Sequence, residues 1–112
     1  LAQALTNVIQ NAAQAIGEAG VEEGRVTTTV ARAGPEIRVT VADNGPGWPE
    51  ADPHRLTEPY VTARRHGTGL GLAIVKRIMD EHGGRLLLSA PAEGGATVTL
   101  AFAAGALDSV AA

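Results

Sequence analysis

The sequence predicts an α+β domain, a two-layer sandwich in which helices cover one face of a mostly antiparallel mixed sheet. Three observations carry this expectation. Hydrophobic periodicity runs helix, two strands, loop, helix, two strands along the chain. Each strand pair is separated by only a few turn-forming residues, as in hairpins. A chain of 112 residues buries roughly two-thirds of its unfolded surface, enough for one core and no second folded domain.

The first element is a helix. Leu1, Leu5, Val8, Ile9, Ala12 and Ile16 fall within one stripe at about 100° per residue, and Gly17 and Gly20 are expected to end it. The chain starts at Leu1 without Met, within this helix, as expected of a fragment cut from something longer. Residues 25–33 and 36–42 alternate and are rich in β-branched side chains. Val26, Thr28 and Val30 share one face of the first, and Ile37, Val39 and Val41 one face of the second. Gly34-Pro35 between them reads as a hairpin turn. Residues 43–49 (DNGPGWP) fit neither period and form a loop. From Glu50 to His66 the pattern is broken, with at most one helical turn near Asp52 to Leu56, and a connection of this length is more often a functional lid or a disordered segment than a simple link. Leu70, Ile74, Val75, Ile78 and Met79 restore a helical face that Gly83-Gly84 stops. Residues 85–90 and 97–103 read as a second hairpin around Pro91 to Gly95, and an Ala-rich tail follows from Gly105. The expected organisation is one domain over 1–104, with the lid at about 48–66, and a C-terminal tail at 105–112.

Composition narrows the function. Apolar residues make up 45%, but Phe, Trp and Tyr occur once each, so the core must be built from Ala, Val, Leu and Ile. Base stacking on aromatics is an unsuitable way for such a chain to hold single-stranded nucleic acid. Nine basic and twelve acidic side chains leave a net charge of −3, which is no electrostatic footprint for a polyanion. Without cysteine there is no disulfide framework and no thiolate metal site. No apolar run approaches the roughly 20 residues that span a bilayer. The expectation is a soluble, cytoplasmic piece with no nucleic-acid partner and no membrane contact of its own.

Three patterns could carry chemistry. Gln3, Asn7, Asn11 and Gln14 place four amides on the helix face opposite the apolar stripe. A solvated polar face explains this, but Asn is a poor helix former, and a charge-poor amide face also suits a hard cation and phosphate oxygens. Asp43 closes a strand and enters Asn44-Gly45-Pro46-Gly47. An Asx turn accounts for it structurally, while a carboxylate beside two glycines can also accept a hydrogen bond from a ligand amine. Finally, Gly67-Thr-Gly-Leu-Gly-Leu72 opens a helix. Glycines there leave backbone N–H groups free for an anion, assisted by the helix dipole. The run lacks the Lys-Ser/Thr of a Walker A loop and the glycine spacing of a dinucleotide fingerprint.

Taken in order, Asn7-Val-Ile-Gln-Asn11-Ala-Ala-Gln-Ala15, Asp43-Asn-Gly-Pro-Gly47, Gly67-Thr-Gly-Leu-Gly-Leu-Ala-Ile-Val75 and Glu81-His-Gly-Gly84 resemble the N, G1 and G2 boxes of the ATP-binding domain of sensor histidine kinases. That domain lies within the superfamily of gyrase, Hsp90 and MutL. The resemblance covers nearly the whole chain. Glu58-Pro-Tyr-Val-Thr62 further resembles nitrogen-regulation sensor kinases of the NtrB and NtrY kind. The fold so implied is the Bergerat-type ATP-binding sandwich.

The resemblance also implies roles. Asn11 would be the Mg²⁺ ligand, and Asn7 would help position the ion or the phosphates. Asp43 would accept the adenine amino group, with Gly45 and Gly47 making room for the ring. Gly67, Gly69 and Gly71, with Leu70 between them, would present backbone amides to the phosphates, and Thr68 a hydroxyl. Thr97 matches a strand position that completes the adenine contact. In the lid, Arg64 and Arg65 would neutralise the γ-phosphate, and Tyr60 takes the second aromatic position of the family's F box, where Leu56 stands in place of the usual Phe. The family carries strand and helix residues before the N box, so the sheet is expected to lack an edge strand.

The implied partners are ATP, a histidine-bearing dimerisation domain of the same parent and a downstream response regulator. None of His54, His66 and His82 occupies the phosphoacceptor motif, so the fragment is expected to be monomeric, to bind nucleotide and not to autophosphorylate. The parent of such a domain occurs both anchored in the bacterial inner membrane and free. Alternatives are a gyrase-type ATPase, an anti-sigma serine kinase or a non-catalytic interaction module. The first needs a water-activating Glu in the N-box helix, where Asn7 and Asn11 stand instead, and the nearest carboxylate, Glu18, lies beyond the box.

Overall fold

The computed structural model describes residues 2–48, 71–91 and 94–104. They form α1 (Ala2–Ala19), β1 (Val26–Ala33), β2 (Glu36–Asp43), α2 (Gly71–Glu81), β3 (Arg85–Ser89) and β4 (Thr97–Ala103). The strands make one sheet in the order β1-β2-β4-β3, and its three pairings are all antiparallel. Both helices lie on one face, α1 against α2 and β2, and α2 against β3. This is the expected α+β sandwich. The tail at 105–112 and most of the lid lie outside the described residues.

Alternation decides which side chains make the core. Val39 and Val41 of β2 stand opposite Leu100 and Val98 of β4, and all four turn to the helices. They meet Ala4, Val8 and Ala12 of α1, Val75 and Met79 of α2, and Leu88 and Phe102. Spacings of four residues on both helices bring one stripe of each against the sheet. The lone Met and lone Phe thus join the Ala, Val and Leu expected there.

The helix ends follow local hydrogen bonding. α1 continues through Gly17 and stops at Gly20, where Gly20 N–H donates to Gly17 O (3.2 Å) and Val21 N–H to Ile16 O (3.3 Å). This paired closure satisfies the last carbonyls, so the stop falls three residues beyond Gly17. α2 closes in the same way, with Gly83 N–H on Asp80 O and Gly84 N–H on Met79 O. Between β1 and β2, Gly34 takes φ 62° ahead of Pro35, the arrangement of a two-residue type II′ turn.

β1 departs from its sequence pattern. Its alternation suggests a half-buried strand, yet every residue after Val26 is exposed, Val30 by 68%. β1 is an edge strand of the described sheet, and α1 leans more over β2 than over it.

On the face away from the helices, Glu36 of β2 accepts from Arg38 Nε (2.9 Å) and from Arg85 Nη2 of β3 (2.9 and 3.0 Å). Ala101 of β4 lies in register between Arg38 and Arg85 and is fully buried. The Arg38 guanidinium, and then that of Arg85, hold the Glu36 carboxyl below its ordinary 4.5. A depressed pKa contributes stability that is complete above the unfolded carboxyl's pKa and lost as pH falls through the folded one. Denaturant midpoints of the wild-type chain and of Glu36→Gln should therefore converge on acidification below about pH 4.5. A gap that persists undiminished in that range would rule out this ion pair as its source.

Candidate functional site

The site is built where β2 ends. Asp43 pairs with Val26 of β1, and on its other side its main-chain N–H donates to Ala96 O (3.0 Å). Its side chain continues the parity of Val39 and Val41 and so projects to the helix face. Oδ1 accepts from Gly45 N–H at 2.9 Å and from Ala96 N–H at 3.3 Å. Among the described residues no donor reaches Oδ2. The Asx turn and the ligand-accepting carboxylate weighed from sequence are thus compatible, because each uses a different oxygen.

Close backbone packing holds this carboxylate in place. Gly95, buried and at φ 81°, lies so near β2 that a Cβ there would overlap the Asp43 carbonyl oxygen. A Cβ at Gly47 would sit 3.2 Å from Gly95 O, and one at Gly45 3.4 Å from Ile16 Cγ1. The space beside Gly47 is therefore taken first by the chain's own backbone, and Gly45 brings the loop against the last turns of α1. Beyond the glycines, Trp48 Nε1–H donates to Ser89 O (2.8 Å) and the ring packs on the core, tying the chain to the end of β3.

The amides of α1 grade from exposed to half-buried. Gln3 and Gln14 are exposed, whereas Asn7 and Asn11 are half-buried on the flank of the Ala4–Val8–Ala12 stripe rather than opposite it. Two carboxamides are thus partly sheltered on the helix that contacts Gly45 through Ile16.

Thr97 opens β4 directly after Ala96. It stands in the row Thr27–Ala42–Thr97 across the sheet, on the face away from the helices, one residue out of step with Asp43. The register brings the buried Ala96 to Asp43, through its backbone, and directs the Thr97 side chain to the opposite face of the sheet. A cleft of about 350 Å³ at this sheet end is lined by Arg25, Thr27, Ala42, Asp43, Gly95 and Thr97, among others. The same cleft reaches the loop after Asp43, through Asn44 and Gly45, as well as the row Thr27–Ala42–Thr97.

Gly71 is the first residue of α2. Tyr60, Arg64, Arg65, Gly67, Thr68, Gly69 and Leu70 lie outside the described residues, as do Leu56, His54 and His66. His82 sits at the end of α2, its Nδ1–H donating to Ile78 O (2.8 Å), a structural cap. Sequence reasoning overlooked Gly95 and Ala96. The Gly94-Gly95 doublet directly before a strand was the available signal for a close backbone approach.

Comparison with known proteins bears on this geometry. Residues 1–105 match the family described as "Histidine kinase-, DNA gyrase B-, and HSP90-like ATPase". The nitrogen regulation protein NtrY of Azorhizobium caulinodans is 45% identical over 108 residues, covering 93% of this chain and 14% of that protein. Among solved structures, the mycobacterial sensor histidine kinase MprB has a TM-score of 0.79 at 31% identity, covering 90% of this chain and 68% of that one. Full-length ShkA in complex with AMPPNP has a TM-score of 0.73 at 33% identity, over 89% of this chain and 20% of that one. The chain therefore spans a small part of the curated relative it matches. Among the described residues no helix is long and apolar enough to cross a membrane.

Proposed function

The chain belongs to the histidine kinase-, DNA gyrase B- and HSP90-like ATPase family, as a catalytic ATPase domain of the sensor histidine kinase kind, and from that premise we propose that it holds ATP·Mg²⁺ between Asp43 and α1. In this reading the γ-phosphoryl passes to a histidine on a separate dimerisation domain of the parent protein, and from there to a response regulator. The observation that supports it is the Asp43 carboxylate, fixed at a strand end through Oδ1 with Oδ2 left for the adenine amino group.

The donor set fits Mg²⁺. Among the described residues no three His, Cys, Asp or Glu side chains cluster, and Mg²⁺ does not need a protein cage. It is usually held by one or two protein oxygens, with phosphate oxygens and water completing the octahedron. Asn11 supplies one such oxygen, and Asn7, one helical turn away, positions the ion or the phosphates. When bound, the ion neutralises phosphate charge. Gly71 opens α2, where the helix dipole favours an anion, and in this reading Gly67, Gly69 and Leu70 would add backbone amides and Thr68 a hydroxyl for the phosphates. Arg64 and Arg65 would neutralise the γ-phosphate, and Tyr60 would take the second aromatic position of the F box. The acceptor nitrogen forms a bond to the γ-phosphorus as the bond to the β,γ-bridging oxygen breaks, releasing ADP. Catalysis of this kind is mainly positioning and charge neutralisation.

The domain works on the cytoplasmic side of the membrane, and by itself it is monomeric and does not autophosphorylate. Calorimetric titration with ATP and GTP in the presence of Mg²⁺ tests the site. ATP should bind more than about tenfold tighter, because guanine turns a carbonyl oxygen toward the carboxylate. Equal affinities would sink the adenine assignment. Phosphate transfer onto an added histidine-bearing domain would support the kinase, whereas slow ATP hydrolysis without a partner would favour an ATPase. Asn11→Ala should abolish the Mg²⁺ dependence of ATP affinity, and a dependence retained in that variant would remove Asn11 from the metal site.

A further inference from the structure

The residue between Asp43 and Gly45 has so far had no role. Asn44 is exposed, yet three hydrogen bonds tie it to the connection between α1 and β1. Its N–H donates to Arg25 O (3.2 Å), its Oδ1 accepts from Arg25 N–H (2.6 Å), and its Nδ2–H donates to Glu23 O (2.7 Å). The β1–β2 ladder ends at Val26 and Asp43. Asn44 extends it by one main-chain bond, and its carboxamide then substitutes for a further peptide group, having an acceptor and a donor at fixed separation. Asp has no donor for Glu23 O, and Ser cannot reach both partners.

What this connection touches gives the clamp its meaning. Residues 22–25 are exposed, so burial does little to hold them. Gly24 lies so close to Ile16 that a Cβ would overlap its Cγ2, and the same Ile16 faces Gly45. The end of α1, the 23–25 connection and the loop after Asp43 therefore meet at one point. On the opposite flank the loop is fixed to β4 through Asp43 and Ala96.

We propose that Asn44 is a positioning residue of the nucleotide site, which sets the distance between its two halves: Asp43 for the base, and the amide flank of α1 for phosphates and metal. The inference rests on the nucleotide reading above. It acts through Asp43 and α1, with no contact of Asn44 to the nucleotide.

The test is ATP affinity of the full 112-residue chain and its variants, titrated with Mg²⁺ at a temperature where circular dichroism shows each to be fully folded. A residue that merely stabilises the fold leaves affinity unchanged under those conditions. Asn44→Ala should weaken ATP binding about tenfold, and Asn44→Asp, which keeps the acceptor for Arg25, about threefold. A folded Asn44→Ala with wild-type affinity overturns the inference. Should that variant not fold, Asn44→Asp decides, and wild-type affinity there overturns it equally. Wild-type binding that Asp43→Asn weakens and the Asn44 variants leave unchanged removes this inference alone. Failure of the unaltered chain to bind ATP removes the nucleotide reading and this inference together.

Discussion

Asp43→Asn is expected to weaken ATP binding by about 1.5–3 kcal/mol while leaving the chain folded. The two oxygens of this carboxylate divide the work. Oδ1 receives Gly45 N–H and Ala96 N–H, and an Asn carbonyl in its place accepts the same two donors, so the loop keeps its shape at a loss of about 1 kcal/mol or less. The other position changes polarity. An amide –NH₂ would face the adenine amino group, setting donor against donor and removing the charge that strengthens the native contact. Calorimetric titration of both chains with ATP reads the effect directly. An unchanged affinity would show that Asp43 serves only the turn.

How far this site was legible in the sequence depended on the kind of information each residue carries. Strand existence was local: β-branched alternation on either side of Gly34-Pro35 marked β1 and β2, and their boundaries shifted by one residue. Strand order was not local. β2 pairs with β4 because Val39 and Val41 can share a helix-covered face with Leu100 and Val98, and no short-range pattern states that partnership. The exposure of β1 has the same origin, since an edge position is a property of the sheet and not of the strand. Of the two glycines expected to end α1, Gly20 does so and Gly17 stays helical, because one glycine inside a helix costs only about 1 kcal/mol and the closure that satisfies the Ile16 and Gly17 carbonyls comes at Gly20 and Val21.

Thr97 shows what strand parity adds. Val98, Leu100 and Phe102 all point to the core, which by parity alone sends Thr97 to the other face. Asp43 was legible because it ends a strand of the same parity as Val39 and Val41 and enters a glycine-rich turn. Its backbone partner Ala96 was not, since a main-chain donor has no sequence signature.

Gly95→Ala is expected to destabilise the fold by about 2–5 kcal/mol, combining the strain of a left-handed residue with a side chain forced into occupied space. Gly94 provides the internal comparison. It has φ 101° and Gly95 φ 81°, but a Cβ at Gly94 meets nothing within 4 Å, whereas one at Gly95 overlaps the Asp43 carbonyl. Both alanine variants carry backbone strain, so the difference between them isolates the overlap. Denaturant unfolding of the two variants at equal m-value measures that difference. Relief at Gly95 requires β4 to move away from β2, which lengthens the Asp43 N–H bond to Ala96 O and takes Ala96 N–H off the carboxylate. ATP affinity should therefore fall in Gly95→Ala under conditions where it is still folded, and stay near the wild-type value in Gly94→Ala. Equal stability losses in the two variants would mean that the sheet end accommodates the methyl, and that the contact between Asp43 and the β4 turn is looser than the glycine implies.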